Sequence, residues 1–156
     1  NMQKKLSRVM SLRDGKSKMS KSDESEYSRI NLQDTEDEIS KKIKKAKTDS
    51  QPIPSKIEDL KNRPEALNLI NIYSFITDKT LEKTLVSMAG KDFSKLKKEL
   101  SDVLVATICP IGKKIKELKK DERYLIDILK KGSNKAKEIA KININKVKDI
   151  VGFISH

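Results

Sequence analysis

The segment Lys18-Met19-Ser20-Lys21-Ser22 is the part of the sequence whose residue types and spacing point most directly to chemistry. Lysine is a compact positive charge on a flexible stem, and two ammonium groups on a mobile loop can neutralise the same cluster of phosphate oxygens. The serine hydroxyls and the backbone N–H groups of the segment can donate further hydrogen bonds to phosphate. The competing interpretation is a solvated loop, because the surrounding sequence is rich in both serine and lysine.

The composition restricts the other kinds of chemistry. The only cysteine, Cys109, excludes a disulfide framework and a cysteine-based zinc site, and its apolar neighbours favour a small buried side chain. The only histidine, His156, excludes histidine-dependent triads and histidine-ligated metals within the chain. No apolar run approaches the roughly 20 residues of a membrane span, and no signal-peptide pattern is present. We therefore expect no protein-ligated metal and no membrane partner.

The charge balance leaves two interpretations open. Lysine and arginine number 35 against 23 aspartate and glutamate, which gives a formal net charge of +12. Such a surplus favours a polyanionic partner, because basic side chains release counterions from phosphate backbones. Most of the basic residues are lysine, however, which also serves as a general solubiliser. Aromatic residues make up only 4% of the chain, which argues against a base-stacking platform for single strands.

The hydrophobic pattern divides the chain into an arm and a helical region. Residues 1–33 are polar, rich in serine and lysine, and lack helical periodicity. From residue 34 onward helical patterns dominate, and the scarcity of glycine and proline disfavours a β-rich chain. Thr35 and Glu38 match a capping box, and Pro64 suits the first turn of another helix. The sequence therefore predicts a mainly α protein, with a short non-helical arm over 1–33 and a helical bundle over 34–156.

Six helices are predicted within the bundle. The second begins at Pro64, is apolar nearly all round, and is expected to be the central buried helix. The fourth is long and is expected to kink at Pro110, which removes a backbone hydrogen bond. A fifth is expected to end at Gly132, and a sixth to begin at Ser133 or Asn134. Helices two, four and six are expected to supply one common core.

The pentapeptide at residues 18–22 matches without departure the KMSKS signature of class I aminoacyl-tRNA synthetases. A strand-like segment, residues 8–12, precedes it at close spacing, Asp23 follows it, and a lysine-rich helix and a helical region lie downstream. In this order the features resemble the tryptophanyl-tRNA synthetase family of the bacterial type, from the end of its nucleotide-binding domain to its C-terminus. The resemblance covers residues from about Leu6 to Ile154. The signature loop is specific to the class, and the helical region is only weakly so.

The resemblance implies a role for each residue of the signature loop. Lys18 and Lys21 would be the catalytic charge donors, which stabilise the departing pyrophosphate in the transition state of amino-acid activation. Met19 and Ser20 would lie beside the nucleotide, and Val9 would contact the adenine region. The implied ATP-binding set is Val9, Lys18, Met19, Ser20, Lys21 and Ser22. ATP would be a substrate, with Mg²⁺ bound through it and not by protein ligands.

The family's helical region binds the anticodon arm of tRNA, which suggests a second set of residues. The lysines that follow the capping box are candidates, and Arg123 beside Tyr124 suits stacking on a splayed base. The implied tRNA-binding set is Lys41, Lys44, Lys45, Lys47 and Arg123. These lysines can be explained at least as simply by the solvated face of a capped helix as by tRNA binding. Asp49 and Ser50 suit either a base contact or the cap of a helix end.

The family also implies parts that this sequence lacks, namely a HIGH-type histidine motif, a Rossmann sheet and a tryptophan pocket. We therefore expect the C-terminal part of a cytoplasmic ligase that joins tryptophan to its tRNA. The fragment alone is expected to be inactive and monomeric, and the full-length enzyme to be a homodimer.

Two alternatives remain at this point: a basic helical module that binds RNA without chemistry, and a helical protein-interaction domain whose lysines reflect compositional bias.

Overall fold

The structure, a computed structural model, describes residues 8–153. His156 and the outer ends of the expected family match, Leu6 and Ile154, lie outside the described residues. The helices are α1 (Glu36–Lys44), α2 (Pro64–Ile76), α3 (Leu81–Met88), α4 (Phe93–Lys119) and α5 (Glu122–Val151). Within residues 8–153 no strand forms, and the β pairing is a single antiparallel bridge between Met10 and Lys18. The prediction of a mainly α protein is confirmed.

The chain divides into two compact units, Asn1–Lys113 and Lys114–His156. The first unit holds the hydrophobic core, which draws on the arm, α1, α2, α3, the part of α4 before Lys113, and the segments that link them. The arm and the four helices are represented by Leu12, Ile39, Leu69, Leu85 and Leu96, each of which is at most 2% exposed. Most of the free energy that favours folding of this unit comes from removing such side chains from water.

The helix starts follow the local chemistry of the sequence. Thr35 caps α1 by accepting from the backbone N–H of Glu38, and the Glu38 carboxylate accepts from the backbone N–H of Thr35, which completes the predicted capping box. Pro64 occupies the first turn of α2, where its missing N–H costs no hydrogen bond. The side chain of Thr80 caps α3 in the same way as Thr35 caps α1. Helix α2 is buried over most of its length, as expected for a central helix.

The arm is polar on average, yet part of it is buried. Leu12 is 2% exposed and packs in the core of the first unit. The backbone N–H of Leu12 donates to the Ser28 carbonyl at 2.9 Å, and the Leu12 carbonyl accepts from the Lys47 N–H at 2.7 Å. The backbone groups of Leu12 are thus both satisfied, and one of them links the arm to the segment that follows α1.

The last two predicted helices are a single one. Helix α5 runs through Gly132 without a break, so the predictions of an end at Gly132 and of a cap at Ser133 or Asn134 are wrong. Glycine in a helix interior costs only about 1 kcal/mol relative to alanine, which does not stop a helix between strong helix formers. Helix α4 continues through Pro110, in agreement with the prediction of one long helix there. No residue of α5 is buried, so the expectation that the last helix supplies the common core is also wrong.

Candidate functional site

A short hairpin positions the signature loop, which we define as residues 18–22. The N–H of Met19 donates to the Val9 carbonyl at 3.0 Å, and the N–H of Ser11 donates to the Ser17 carbonyl at 2.8 Å. Asp14 closes the turn between the two segments, because its side chain accepts from the N–H of Lys16 at 3.0 Å. The structure therefore places Val9 directly beside Met19, two residues that the sequence assigned to one nucleotide site.

Asn68 of α2 attaches this hairpin to the helical core. Its Oδ1 accepts from the Met10 N–H at 3.0 Å, and its Nδ2 donates to the Met10 carbonyl at 2.9 Å. The buried amide thus satisfies both backbone groups of Met10, as a neighbouring strand would. At the hairpin turn, a Cβ on Gly15 would fall on backbone atoms of Pro64 and Glu65. Glycine is required there because the turn meets the start of α2 at backbone distance.

Lys18 and Lys21 extend from this hairpin into solvent. Both side chains are exposed, and neither ammonium group has a hydrogen bond or an ion pair with any residue in the range 8–153. Ser20 and Ser22 share a hydrogen bond between their hydroxyls at 2.9 Å, and the N–H of Ser22 faces the Ser20 hydroxyl at 3.3 Å. Met19 is half-buried and packs against the core. The loop therefore presents two unpaired cations and two hydroxyls on a fixed base.

Arg29 holds the chain that leaves the signature loop. Its Nη1 donates to the Asp23 carbonyl at 2.9 Å, and its Nη2 forms an ion pair with Glu26 at 2.7 Å. The Asp23 side chain in turn accepts from the Ser25 N–H at 2.8 Å. The signature loop is therefore attached on both sides, to Val9 before Ser20 and to Arg29 after Ser22. Sequence reasoning missed Arg29, which carries no motif of its own.

The lysines of α1 and its C-terminal end have different surroundings. The Lys45 ammonium lies 4.1 Å from the ring centroid of Tyr27, and Lys47 pairs with Glu65 at 2.9 Å. The hydrogen bond from Lys47 lowers the pKa of Glu65, and the same bond raises the pKa of Lys47. Lys41 and Lys44 are exposed, and their ammonium groups have no partner among residues 8–153.

Two cations from distant segments bind the carbonyls at the end of α1. Lys97 of α4 donates to the Ala46 carbonyl at 2.6 Å and to the Lys44 carbonyl at 3.3 Å. Arg13 of the hairpin donates to the Lys45 carbonyl at 2.6 Å. Burial lowers the pKa of Lys97, and the positive charge of Arg13 adds to this shift. The carbonyls that a helix end leaves open, and the negative pole there, account for both contacts.

Asp49, beyond the C-terminal end of α1, pairs with Arg63. Its carboxylate receives two hydrogen bonds from Arg63, at 2.6 Å and 2.9 Å, and this pairing holds the pKa of Asp49 below its ordinary value. Arg63 also donates to the Pro52 carbonyl at 3.0 Å. This partner lies 14 residues away in the chain, a contact that neither interpretation from the sequence anticipated.

Comparison with known proteins gives the family. The family model described as "tRNA synthetases class I (W and Y)" matches residues 2–108, more than half of the chain. The chain belongs to this family. The matching residues of this chain include the hairpin, the signature loop, helices α1 to α3 and most of α4.

Individual members of the class I family resemble the chain over almost its whole length. It is 48% identical to the tryptophan–tRNA ligase of Agrobacterium fabrum over 147 residues, which are 94% of this chain and 42% of that protein. It is 46% identical to the tryptophan–tRNA ligase of Rickettsia felis, again over 94% of this chain and 44% of the relative. The chain thus spans less than half the length of these relatives.

A solved structure agrees with the sequence comparison. The tryptophanyl-tRNA synthetase from Mycoplasma pneumoniae superposes with a TM-score of 0.77 at 26% identity. The match covers 97% of this chain and 47% of that one. The resemblance to tryptophanyl-tRNA synthetases that the signature loop suggested is therefore confirmed.

Arg123 lies in the second unit of this chain, Lys114–His156. It stands in the first turn of α5 and borders a shallow depression whose other lining residues are Lys119, Lys120, Asp121 and Glu122. Tyr124 is 49% exposed, so it is not a core residue. The four lysines of the implied tRNA-binding set lie in the first unit. Each unit thus carries its own part of that set.

Cys109 and the acidic side chains are further groups that could carry chemistry. Cys109 is half-buried against the core, in line with a small apolar packing role. Among residues 8–153 no group of three or more histidine, cysteine, aspartate or glutamate side chains could hold a metal ion. Across the same range no helix is both long and apolar enough to cross a membrane.

Proposed function

We propose that this chain is part of an ATP-dependent ligase that activates tryptophan as its adenylate and joins it to its tRNA. The observation that carries the proposal is the pair Lys18 and Lys21, two unpaired cations on an anchored KMSKS loop in a member of this synthetase family. The names of the relatives from Agrobacterium and Rickettsia support tryptophan as the amino acid. The full-length enzyme is proposed to be a cytoplasmic homodimer.

The proposed reaction creates charge where the signature loop can neutralise it. The carboxylate of tryptophan attacks the α-phosphorus of ATP, a bond forms between carboxylate oxygen and phosphorus, and the bond to the bridging oxygen breaks. Pyrophosphate leaves with that electron pair, and its negative charge grows in the transition state. Lys18 and Lys21 stabilise this charge more strongly than that of the ground state, which is the condition for faster chemistry. Mg²⁺ accompanies ATP and shares the phosphate charge.

The neighbours of the two lysines have supporting roles in this proposal. Ser20 and Ser22 can exchange their mutual hydrogen bond for bonds to phosphate oxygens, which costs little because both hydroxyls are at the surface. Val9 and Met19 form the apolar side of the nucleotide site, because one backbone hydrogen bond holds them together. The remainder of the active site is assigned to the part of the relatives that this chain does not span.

The helices are proposed to bind the anticodon arm of the tRNA. Lys41 and Lys44 offer unpaired charges to the phosphate backbone, and Lys45 and Lys47 can exchange their present partners for phosphate. Arg123 offers a planar cation at the start of α5. Surface ion pairs such as Lys47 with Glu65 are worth only about 0–1 kcal/mol, so phosphate can replace them at small cost.

The test is tryptophan-dependent exchange of pyrophosphate into ATP, measured on the full-length protein that contains this chain. Lys18→Ala and Lys21→Ala should each lower the exchange rate by about 100-fold or more, the usual loss when one preorganised donor to a transition-state charge is removed. Lys16→Ala is the matched control, because Lys16 is exposed on the same hairpin outside the signature loop. Its rate should stay within about twofold of the wild type.

Three results would count against the proposal. Equal rates for the wild type and Lys21→Ala would exclude the catalytic role of the loop. Exchange catalysed by the 156-residue chain alone would show that the rest of the active site is not needed. If the full-length protein binds tRNA but shows no exchange at all, the chain belongs to an RNA-binding module without this chemistry.

A further inference from the structure

The backbone that leads out of the signature loop is held by one contact. Upstream of Lys21, the N–H of Met19 donates to the Val9 carbonyl at 3.0 Å. Downstream of Lys21, the Asp23 carbonyl accepts from Nη1 of Arg29 at 2.9 Å. Among residues 8–153 no other donor reaches that carbonyl. Arg29 therefore fixes the end of the span in which Lys21 is the middle residue.

The charge of the Arg29 side chain is already used by its neighbours. Its Nη2 pairs with the Glu26 carboxylate at 2.7 Å, and its Nη1 also faces the Ser25 carbonyl at 3.2 Å. The side chain is only 12% exposed. The Ser25 carbonyl accepts from the N–H and the hydroxyl of Ser28 at 3.0 Å and 2.7 Å, so the longer bond from Arg29 adds little there. The bonds to Glu26 and to the Asp23 carbonyl are therefore the ones that define the position of Arg29.

The segment that carries Arg29 is itself attached to the core of the first unit. Ser28 is buried, and its carbonyl accepts from the N–H of Leu12 at 2.9 Å. The second carboxylate oxygen of Glu26 lies 4.0 Å from the ammonium of Lys42, which is buried as well. Arg29 thus connects an exposed loop to backbone and charge that are fixed in the fold.

Loss of Arg29 would lengthen the free span around Lys21. The next backbone hydrogen bond downstream joins the Ser25 carbonyl to Ser28, so the span from Met19 would grow from four residue steps to six. The local concentration of a tethered group falls roughly as the −3/2 power of tether length, which gives about a twofold loss. Misplacement of a reacting group by about 1 Å can cost about 100-fold. The effect on the rate is expected to lie between these two limits.

We propose that Arg29 is a positioning residue for amino-acid activation, which holds the end of the signature loop so that the Lys21 ammonium meets the departing pyrophosphate. The inference rests on the proposed function, which supplies the reaction. Arg29 touches no substrate in this role and acts only through Lys21. Lys18 is independent of Arg29, because the antiparallel bridge to Met10 holds Lys18 from the upstream side.

The test is a double-mutant cycle between Arg29 and Lys21, measured by tryptophan-dependent exchange of pyrophosphate into ATP on the full-length protein. Arg29→Gln alone should lower kcat about tenfold and leave KM for ATP within about twofold, because Lys21 acts on charge that grows in the transition state. In a Lys21→Ala background the same change should cost less than about twofold, since the charge that Arg29 positions is gone. In a Lys18→Ala background the loss should again be about tenfold.

Arg63 provides a matched control for the structural effect of the substitution. Its side chain is 11% exposed, pairs with Asp49 at 2.6 Å, and donates to the carbonyls of Gln51 and Pro52, each at 3.0 Å. The two arginines thus have the same burial and the same kinds of partner, but the partners of Arg63 lie outside the signature loop. Arg63→Gln should lower the urea midpoint of unfolding about as much as Arg29→Gln does, and should leave kcat within about twofold of the wild type.

A second variant covers the case in which Arg29→Gln does not fold. Arg29→Lys keeps the positive charge beside Glu26 but not the fork that binds a carbonyl and a carboxylate together. Its loss of kcat should likewise disappear in the Lys21→Ala background and persist in the Lys18→Ala background.

The outcomes separate the two proposals. A full-length wild type without tryptophan-dependent exchange overturns the proposed function and, with it, this role of Arg29. A wild type that exchanges, but whose kcat responds to Arg29→Gln no more than to Arg63→Gln, overturns the positioning role alone. Equal losses from the Arg29 change in the wild type and in the Lys21→Ala background overturn it too, because Arg29 would then act independently of Lys21.

Discussion

Lys42 and Asp34 form a buried ion pair at the start of the helical region. The Nζ atom of Lys42 lies 2.6 Å from an Asp34 carboxylate oxygen, and both residues are less than a tenth exposed. The same carboxylate accepts from the N–H of Asn31 at 2.8 Å and from its side-chain amide at 3.2 Å. A buried charge with this many partners is satisfied, and its loss leaves the partners unsatisfied.

Replacing Asp34 with asparagine should therefore destabilise the chain strongly. The buried Lys42 ammonium would keep only the exposed Glu26 carboxylate, whose nearer oxygen lies at 4.0 Å. Breaking a buried pair in this way costs about 3–5 kcal/mol. The measurement is the free energy of unfolding from urea titration, followed by circular dichroism. Lys41→Ala is the control, since Lys41 is exposed on the same helix and its change should cost less than about 0.5 kcal/mol. A loss below 1 kcal/mol in Asp34→Asn would contradict this view of the pair.

The stability that Asp34 provides should also depend on pH. Burial raises the pKa of Asp34, but the hydrogen bonds from Lys42 and Asn31 outweigh burial, so the pKa lies below its usual value. A carboxyl group with a lowered pKa stabilises the fold above its unfolded pKa of about 3.9 and loses this contribution as the pH falls through the folded pKa. The difference in unfolding free energy between wild type and Asp34→Asn should thus be constant near neutral pH and shrink below about pH 4. A difference that grows on acidification would be the opposite of this expectation.

The contact partners of individual side chains were the feature least predictable from the sequence. Lys42, Lys44 and Lys97 look alike in the sequence, but the first is buried with an acid, the second is free and the third binds helix carbonyls. Their partners are separated from them by as many as 53 residues, so no local pattern distinguishes the three lysines. The signature loop was found because its identity is encoded in five consecutive residues.

At the scale of elements, helix termini followed sequence rules where a local cap specifies them. The capping box at Thr35 and the proline at the start of α2 were both read correctly, because each depends on contacts within a few residues. The end predicted at Gly132 failed since glycine only weakens a helix, and ends it reliably only with a left-handed backbone. Gly90 and Gly152 have that backbone, with φ of 73° and 75°, and Gly132 does not.

This contrast gives a matched pair of substitutions. Gly132→Ala should raise the stability of α5 by about 1 kcal/mol, because the new Cβ meets no atom within 4 Å and the backbone is already helical. Gly90→Ala should instead destabilise the chain by about 1 kcal/mol, because alanine is strained at positive φ. Helicity at 222 nm and the thermal midpoint check both. A lower helicity in Gly132→Ala would favour two separate helices after all.

At the scale of the whole molecule, hydrophobic periodicity predicted the kind of elements better than their burial. Helix α5 has an apolar stripe that includes Ile139 and Val147, yet these side chains are more than half exposed. Periodicity shows that a helix has an apolar face and does not show what covers that face. The arm presents the reverse case, because this segment is polar on average but buries Leu12 in the core and packs Val9 and Met19 against it.

The two attachments of the signature loop set the distance over which it can move. Lys18 lies on the bridged base of the hairpin, whereas Lys21 is at the tip of a span bounded by Met19 and Asp23. Four residue steps have a contour of about 14 Å, so the tip can swing by no more than about 7 Å. The backbone of Lys18 is thus held in place, whereas the backbone of Lys21 can move over this short distance. Any longer approach of the loop backbone to a substrate requires the hairpin, and with it the contacts to Asn68 and Lys47, to move as well.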